Sequence, residues 1–328
     1  MATTTMTMAK ALNEGLRRAM EKDPKVLLMG EDIGKLGGVF RITDGLQKDF
    51  GEDRVIDAPL AESAIVGTAV GLAVRGYRTV VEMQFDGFVY PAFDQIVSQV
   101  AKLHKRTDGV YTMGLVIRLP FQGGIGAIEH HSESPEAYFA HTAGLRVVSC
   151  STPHDAYWMI QQSIEHDAPI IFCEPKSRYW EKGEVDTEST HRGLFEAEVR
   201  REGRDVTVVA YGSMVKTALR AAETAEGEGV SVEVIDARSL APLDVDTMAA
   251  SLEKTGRLVT VGESPHTASI GSEIVSTLTE RCFYSLRAPG VRVSGYHVPY
   301  PPTRIEEDYR PTPDRVLDAI DRVMGYGS

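Results

Sequence analysis

Apolar positions along the chain follow two alternating rhythms. Ala9 to Met20 carries apolar residues at helical spacing, and the run KVLLMG behind it is short, continuous and closed by Gly30. Such a run predicts a strand buried on both faces. The stretch RVIDAPLAESAIVGTAVGLAVRGYRTVVEMQF then reads as a strand, a turn marked by Pro59, an apolar small-residue helix, a turn marked by Gly76 and a second strand. Two further rounds follow: helix AFDQIVSQVAKLHKR with strand GLVIRLP, then strand LRVVSC, helix DAYWMIQQSIEHD and strand PIIFCEPK. Repeated strand–helix alternation implies an α/β fold, a parallel sheet covered by helices on both faces.

From about residue 177 to 203 the chain turns charged and polar without sustained periodicity, which predicts a linker, placed at 181–203 between domains at 1–180 and 204–328. Beyond it the alternation resumes through strand DVTVVAYG, helix SMVKTALRAAETAEGEG, strand VSVEVIDA, helix VDTMAASLEKTG, strand RLVTVGE and helix SIGSEIVSTLTERC. A second, smaller α/β domain is expected, ending in a Pro-rich segment, YHVPYPPTR, and a last helix, TPDRVLDAIDRVMG. Two domains also suit the length, because 328 residues exceed what one hydrophobic core usually supports.

Composition narrows the function classes. A net charge of −12 argues against nucleic acid or an anionic membrane as the main partner. No apolar run approaches the roughly 20 residues of a membrane helix. The opening MATTTMTMAKALNEGLRRAMEKD carries Glu14, Glu21 and Asp23 and lacks a signal-like apolar core, so a cytoplasmic location is expected. Cys150, Cys173 and Cys282 are odd in number and far apart, as buried free thiols would be.

Four places could carry chemistry. Glu62 is the lone carboxylate from Ala58 through Arg75, costly in an apolar helix without a partner, yet also what a first turn after Pro59 accepts to complement the helix dipole. The loop after VVEM holds Gln84, Phe85, Phe88 and Tyr90 at the carboxyl end of a strand, where α/β sheets gather ligands; aromatic packing is the alternative. In GGIGAIEHHSESPE, His130 and His131 stand among Glu129, Glu133 and Glu136. Consecutive histidines point apart in an extended segment and the HExxH spacing is missing, so an acid–base histidine beside a Gly-rich loop fits better than zinc, with solvated loop histidines as the alternative and no metal expected. The carboxylates around them read as loop surface. The fourth place, GESPHTASIGSEI, could bind an anion at a helix start, a weak signal.

Taken together, LMGEDIGKLGGVFRIT, RVIDAPLAESAIVGTAVGLA, VEMQFDGFVYPAFDQI, HHSESPEAYFAH, VIDARSLAPLDVDT and KTGRLVTVGES make the chain resemble, over nearly its whole length, the β subunit of the thiamine-diphosphate-dependent decarboxylating component of 2-oxo acid dehydrogenase complexes. The resemblance implies a pyrimidine-binding, transketolase-like domain followed by a transketolase C-terminal-like domain. It implies that Glu62 hydrogen-bonds the aminopyrimidine ring of the cofactor and favours the imino tautomer that generates the ylide. By the same resemblance Glu31, Leu60, Ala61, Glu62, Gln84, Phe88, Val89, Tyr90 and Pro91 line the pyrimidine side, while Phe85, Asp86, Gly87, Phe88 and His131 face the substrate. His131 would assist proton transfer as the acyl group moves to lipoyl, with His130 its less supported neighbour.

The Gly-Asp-Gly motif that holds Mg²⁺ and the diphosphate in this family is missing: TDGLQ, TDGVY and FDGFV each have another residue before the Asp. The resemblance therefore implies an α subunit that supplies it, an α2β2 heterotetramer, and a lipoyl acyltransferase core docking largely on the C-terminal domain. The residues around His166 and Ala168 depart from the pattern of the family's potassium site, which argues against potassium. The QFDGF loop with EHHSESPE looks more like branched-chain 2-oxo acid members than pyruvate or acetoin ones. A metal-dependent hydrolase and a non-catalytic scaffold subunit are the readings from other classes.

Overall fold

A computed structural model describes residues 3–190 and 192–326. They form two compact units. The first contains residues up to Phe121 together with Tyr138–Leu194; the second contains Gln122–Ala137 and the chain from Phe195 onward.

In the first unit, strand β1 (Thr3–Thr7) precedes helix Met8–Lys22, capped by the Thr7 side chain, which accepts the Lys10 N–H at 3.2 Å. Met8, Leu12, Leu16 and Met20 recur on one face of that helix and are buried. The helix packs on Pro153–Glu165, and the approach is close: a Cβ at Gly15 would lie 2.5 Å from Ile160 Cγ2. Strands β2 (Val26–Gly30), β3 (Val55–Asp57), β4 (Arg78–Glu82), β5 (Leu115–Phe121), β6 (Arg146–Ser149) and β7 (Ile170–Pro175) lie in the order β6-β7-β5-β4-β2-β3, all parallel. Most of their residues are buried without alternation, as a sheet covered on both faces requires.

The second unit is built on strands β9 (Glu198–Arg201), β10 (Val206–Ala210), β11 (Val232–Asp236), a short β12 (Ser239–Ala241), β13 (Leu258–Pro265) and β14 (Val291–Gly295). Five of them form a sheet in the order β14-β13-β10-β11-β9, with β9 antiparallel to β11 and the other pairs parallel. Val206, Val208, Val232, Val234, Val259 and Val261 make its core with alanines of helix Met214–Gly227 and with Val316, Ile320 and Val323 of Pro313–Met324.

Two stretches differ from the sequence-based expectation. The polar segment 181–203 contains strand β8 (Lys182–Asp186), antiparallel to β1, as well as β9; both are short strands without a continuous apolar run. The helix expected over 92–106 is broken. A 3₁₀ turn, Asp86–Ala92, runs through Phe93 and Asp94 into a π-helical turn, Gln95–Val100, and a separate short helix follows at Leu103–Arg106. Such wide turns are rare and often occur beside functional sites.

Candidate active site

In the first unit the chain steps from β2 outward to β3, then returns across β2 to β4 on its far side. The loops leaving β2 and β4 therefore head in opposite directions from the carboxyl ends of these strands, a switch point of the kind at which open α/β sheets take ligands. Glu31 leaves β2, Leu60–Glu62 follow β3, and Gln84–Pro91 follow β4. The first two loops are tied together: Gly34 N–H donates to Asp57 Oδ1 at 2.6 Å, and Ala58 N–H donates to the Gly30 carbonyl at 2.8 Å.

Glu62 opens helix Glu62–Val74 and is 8 % exposed. Its place in the first turn lets the helix dipole favour its negative charge, the structural role anticipated for it, yet it is buried rather than facing water. Glu31 stands close enough to feel that charge. Burial above all, then the negative charges of Glu62 and Asp32, raises the Glu31 carboxyl above its ordinary value. Glu31 is half-buried, but its Oε1 is buried and has no hydrogen-bond partner among the described residues, a vacant acceptor near the buried Glu62. Leu60 is 77 % exposed and Ala61 partly so, which leaves an apolar residue available at the rim.

The loop after β4 packs against helix Glu62–Val74. Phe85 meets Phe40 edge-on at 5.4 Å between ring centroids and Phe88 at 6.1 Å, while Tyr90 meets Tyr138 at 6.4 Å. Gln84, Gly87 and Phe88 are half-buried, Tyr90 and Pro91 exposed, and Val89 fully buried. Asp86, expected among the substrate contacts, is wholly buried and ion-paired with the equally buried Lys176, so its charge braces the loop from beneath.

A second buried ionic cluster underlies the same strand ends. Arg118 of β5 pairs with Glu82, the last residue of β4, and donates from Nε and Nη2 to Glu174 of β7 at 2.7 and 2.8 Å; the Tyr179 hydroxyl donates to Glu174 at 2.7 Å. Burial pushes the Glu82 carboxyl up although Arg118 opposes it. Sequence reasoning missed this cluster. The signal was present, since Arg118 and Glu174 are lone charges inside apolar strand runs, as Glu62 is inside its helix.

His131 belongs to the second unit, in the segment Gln122–Ala137, on a 3₁₀ turn, Glu129–His131. It is half-buried; His130 is exposed and faces Glu129 at 3.6 Å. Among the described residues no group of three or more His, Cys, Asp and Glu side chains could hold a metal ion. The expectation that the neighbouring carboxylates are loop surface fails at Glu136, which is fully buried and accepts from the Tyr211 hydroxyl at 2.7 Å. Its carboxyl is pushed up to about 7, mainly by burial, with the Tyr211 hydrogen bond pulling the other way. The three cysteines are buried and outside any disulfide.

A buried carboxylate, Glu62, and a half-buried one, Glu31, with one vacant oxygen, beside half-buried aromatic rings at a sheet switch point suit a flat heterocycle carrying a shared proton on nitrogen, so these residues fit the pyrimidine half of thiamine diphosphate. The family models agree with that class. Residues 4–181 match the transketolase pyrimidine-binding domain and residues 196–316 the transketolase C-terminal domain. A solved structure described as a split-gene transketolase, inactive β4 tetramer, superposes with a TM-score of 0.82 at 23 % identity, covering 98 % of this chain and 99 % of the other, a likeness of fold.

Among characterised proteins, the pyruvate dehydrogenase E1 component subunit beta of Leifsonia xyli is 57 % identical over 98 % of this chain and 96 % of its own length. The 3-methyl-2-oxobutanoate dehydrogenase subunit beta of Mycobacterium tuberculosis is 52 % identical over 98 % and 93 %. The pyruvate dehydrogenase E1 component subunit beta of Staphylococcus epidermidis is 44 % identical over 98 % and 99 %. The chain belongs to the family of 2-oxo acid dehydrogenase E1 β subunits.

Proposed function

We propose that this chain is the β subunit of a branched-chain 2-oxo acid dehydrogenase, working in an α2β2 heterotetramer with an α subunit that holds Mg²⁺ and the diphosphate of thiamine diphosphate. The single observation that carries the reading is the buried Glu62 carboxylate beside the half-buried Glu31 at the switch point, with the vacant acceptor oxygen of Glu31. When bound there, thiamine diphosphate would supply the nucleophilic carbon and the electron sink that decarboxylation of a 2-oxo acid needs. Glu62 holds a proton at the pyrimidine nitrogen. Glu31, whose affinity for protons is raised, keeps the neighbouring negative charge from building up. Leu60, Ala61, Gln84 and the Phe88–Pro91 turn bear on the ring, and Phe85 with Phe88 offers an apolar wall to the acyl chain. His131, carried by the second unit, moves a proton as the acyl group passes to lipoyl of the acyltransferase core, whose docking falls to the C-terminal domain.

Pyruvate is the second reading, favoured by the 57 % identical relative of that name. The branched-chain reading rests on the QFDGF loop and EHHSESPE, and on the 52 % identical relative named for 3-methyl-2-oxobutanoate. Co-expression with the α subunit, followed by kcat/KM for pyruvate and 3-methyl-2-oxobutanoate, separates them: a higher value for pyruvate overturns the substrate assignment. In the same complex Glu62→Ala is expected to abolish decarboxylation while the tetramer still forms. Decarboxylation at the normal rate by that variant would remove the proposed role of Glu62 and leave a scaffold.

A further inference from the structure

The Gly-rich loop ahead of His131 is held by carboxylates from distant parts of the second unit. Glu306 is the centre of that arrangement. Its Oε1 accepts the Gly124 N–H at 2.6 Å and the Tyr300 hydroxyl at 2.8 Å, and its Oε2 accepts the Gly126 N–H at 3.1 Å. On the other side of the same turn, Thr303 Oγ1 donates to the Gly126 carbonyl at 2.9 Å. Glu263 accepts the Gly123 N–H through one oxygen and Arg310 Nε, at 3.1 Å, through the other.

The glycines are required by this arrangement. Gly124 and Gly126 have φ of 86° and 70°, and a Cβ at Gly123 would fall 1.7 Å from the Tyr300 hydroxyl oxygen. A backbone of alternating positive-φ glycines has little stiffness of its own, so its shape is set by what its N–H groups bind. Glu306 is 7 % exposed, and a carboxylate that accepts three hydrogen bonds out of bulk water is a strong clamp. His131 begins five residues after Gly126, on a turn closed by its own N–H to the Ile128 carbonyl at 3.0 Å. Little slack lies between clamp and histidine.

We infer that Glu306 is a positioning residue for His131: by bridging the Gly124 and Gly126 N–H groups it fixes the loop that presents the imidazole, and Thr303 completes the clamp. The inference rests on the proposed role of His131 in acyl transfer. It assigns to the C-terminal Pro-rich segment, and to Glu306 just behind it, a share in the reaction that neither their position in the chain nor their composition announces.

The test is a double-mutant cycle in the co-expressed α2β2 complex, reading acyl transfer to a lipoyl domain separately from decarboxylation measured with an artificial electron acceptor. Glu306→Gln turns one acceptor oxygen into a donor facing an N–H. Acyl transfer is expected to fall by about tenfold or more, with a larger loss there than in decarboxylation, because a charge-assisted hydrogen bond is replaced by a clash of donors. In a His131→Ala background the same change should lower acyl transfer by no more than about twofold. Glu306→Asp should recover part of the loss.

Thr303→Val is the companion variant. Thr303 is exposed, so this change spares the fold and carries the test should Glu306→Gln not assemble; it should cost about threefold with His131 present and nothing without it. Equal losses in both backgrounds, or no loss for the variants that assemble, overturn the inference. A His131→Ala complex that transfers acyl groups normally overturns instead the reading of His131 on which the inference stands.

Discussion

Glu136 carries a stability cost whose sign and size follow from its surroundings. It is fully buried, with Tyr211 donating to one oxygen and the charge of Glu263 nearby, and its carboxyl is raised from 4.5 to about 7. Between those two values the folded chain binds a proton that the unfolded chain has released. Stability therefore declines as pH rises, its slope having the sign of unfolded minus folded protons. The contribution is fully present below about pH 4.5, erodes up to about pH 7 and is level above that. A shift of about 2.5 units corresponds to about 3 kcal/mol at 1.36 kcal/mol per unit.

Glu136→Gln replaces the group by a permanent analogue of its protonated form and keeps an oxygen for the Tyr211 hydroxyl. Urea titrations of wild type and variant in the same assembled state, from about pH 4 to about pH 8, should show the variant gaining up to about 3 kcal/mol over wild type at the alkaline end and nearly nothing at the acid end. The infrared carbonyl band of a protonated carboxylic acid, present in wild type on the acid side and absent from the variant, gives an independent reading. Parallel stability curves for the two proteins would refute the reasoning.

Two further outcomes test the frame beneath the site. Arg118→Met removes the cation that Glu82 and Glu174 share in the buried cluster, and should lower stability by about 3–5 kcal/mol in denaturant titrations, because two carboxylates lose that partner; a loss below about 1 kcal/mol would contradict the pairing. Gly144→Ala places a Cβ 2.0 Å from the Ala101 carbonyl oxygen at a φ of 105°, so the backbone must move, and a fall in Tm of several degrees or a loss of soluble protein is expected.

The two α/β sheets were legible because buried parallel strands are short continuous apolar runs, and a contiguous run can be read without knowing its neighbours. Val26–Gly30 and Val206–Ala210 are such runs. The short strands Thr3–Thr7, Lys182–Asp186 and Glu198–Arg201 were not legible, since their stability comes from a partner strand far along the chain and their composition carries no apolar period. The broken helix over 92–106 was hidden for the opposite reason. Its residues favour a helix locally, and the wide turn at Gln95–Val100 arises where the chain packs on helix Glu62–Val74.

At the site, the sequence by itself singled out Glu62, because a lone carboxylate in an apolar helix must answer to something, and it singled out the strand-end loop carrying Phe85 and Phe88. It could not tell a braced acid from a free one. Asp86 and Glu136 look like any polar loop residue until the fold buries the first against Lys176 and the second under Tyr211. The membership of Gln122–Ala137 in the second unit, and with it the grip of Glu263 and Glu306 on the glycines of GGIGAIEHHSESPE, depends on contacts 140 to 182 residues apart. Local pattern reports what each segment must bury. Which charges meet once it is buried is settled by long-range packing, and only the tertiary structure holds that information.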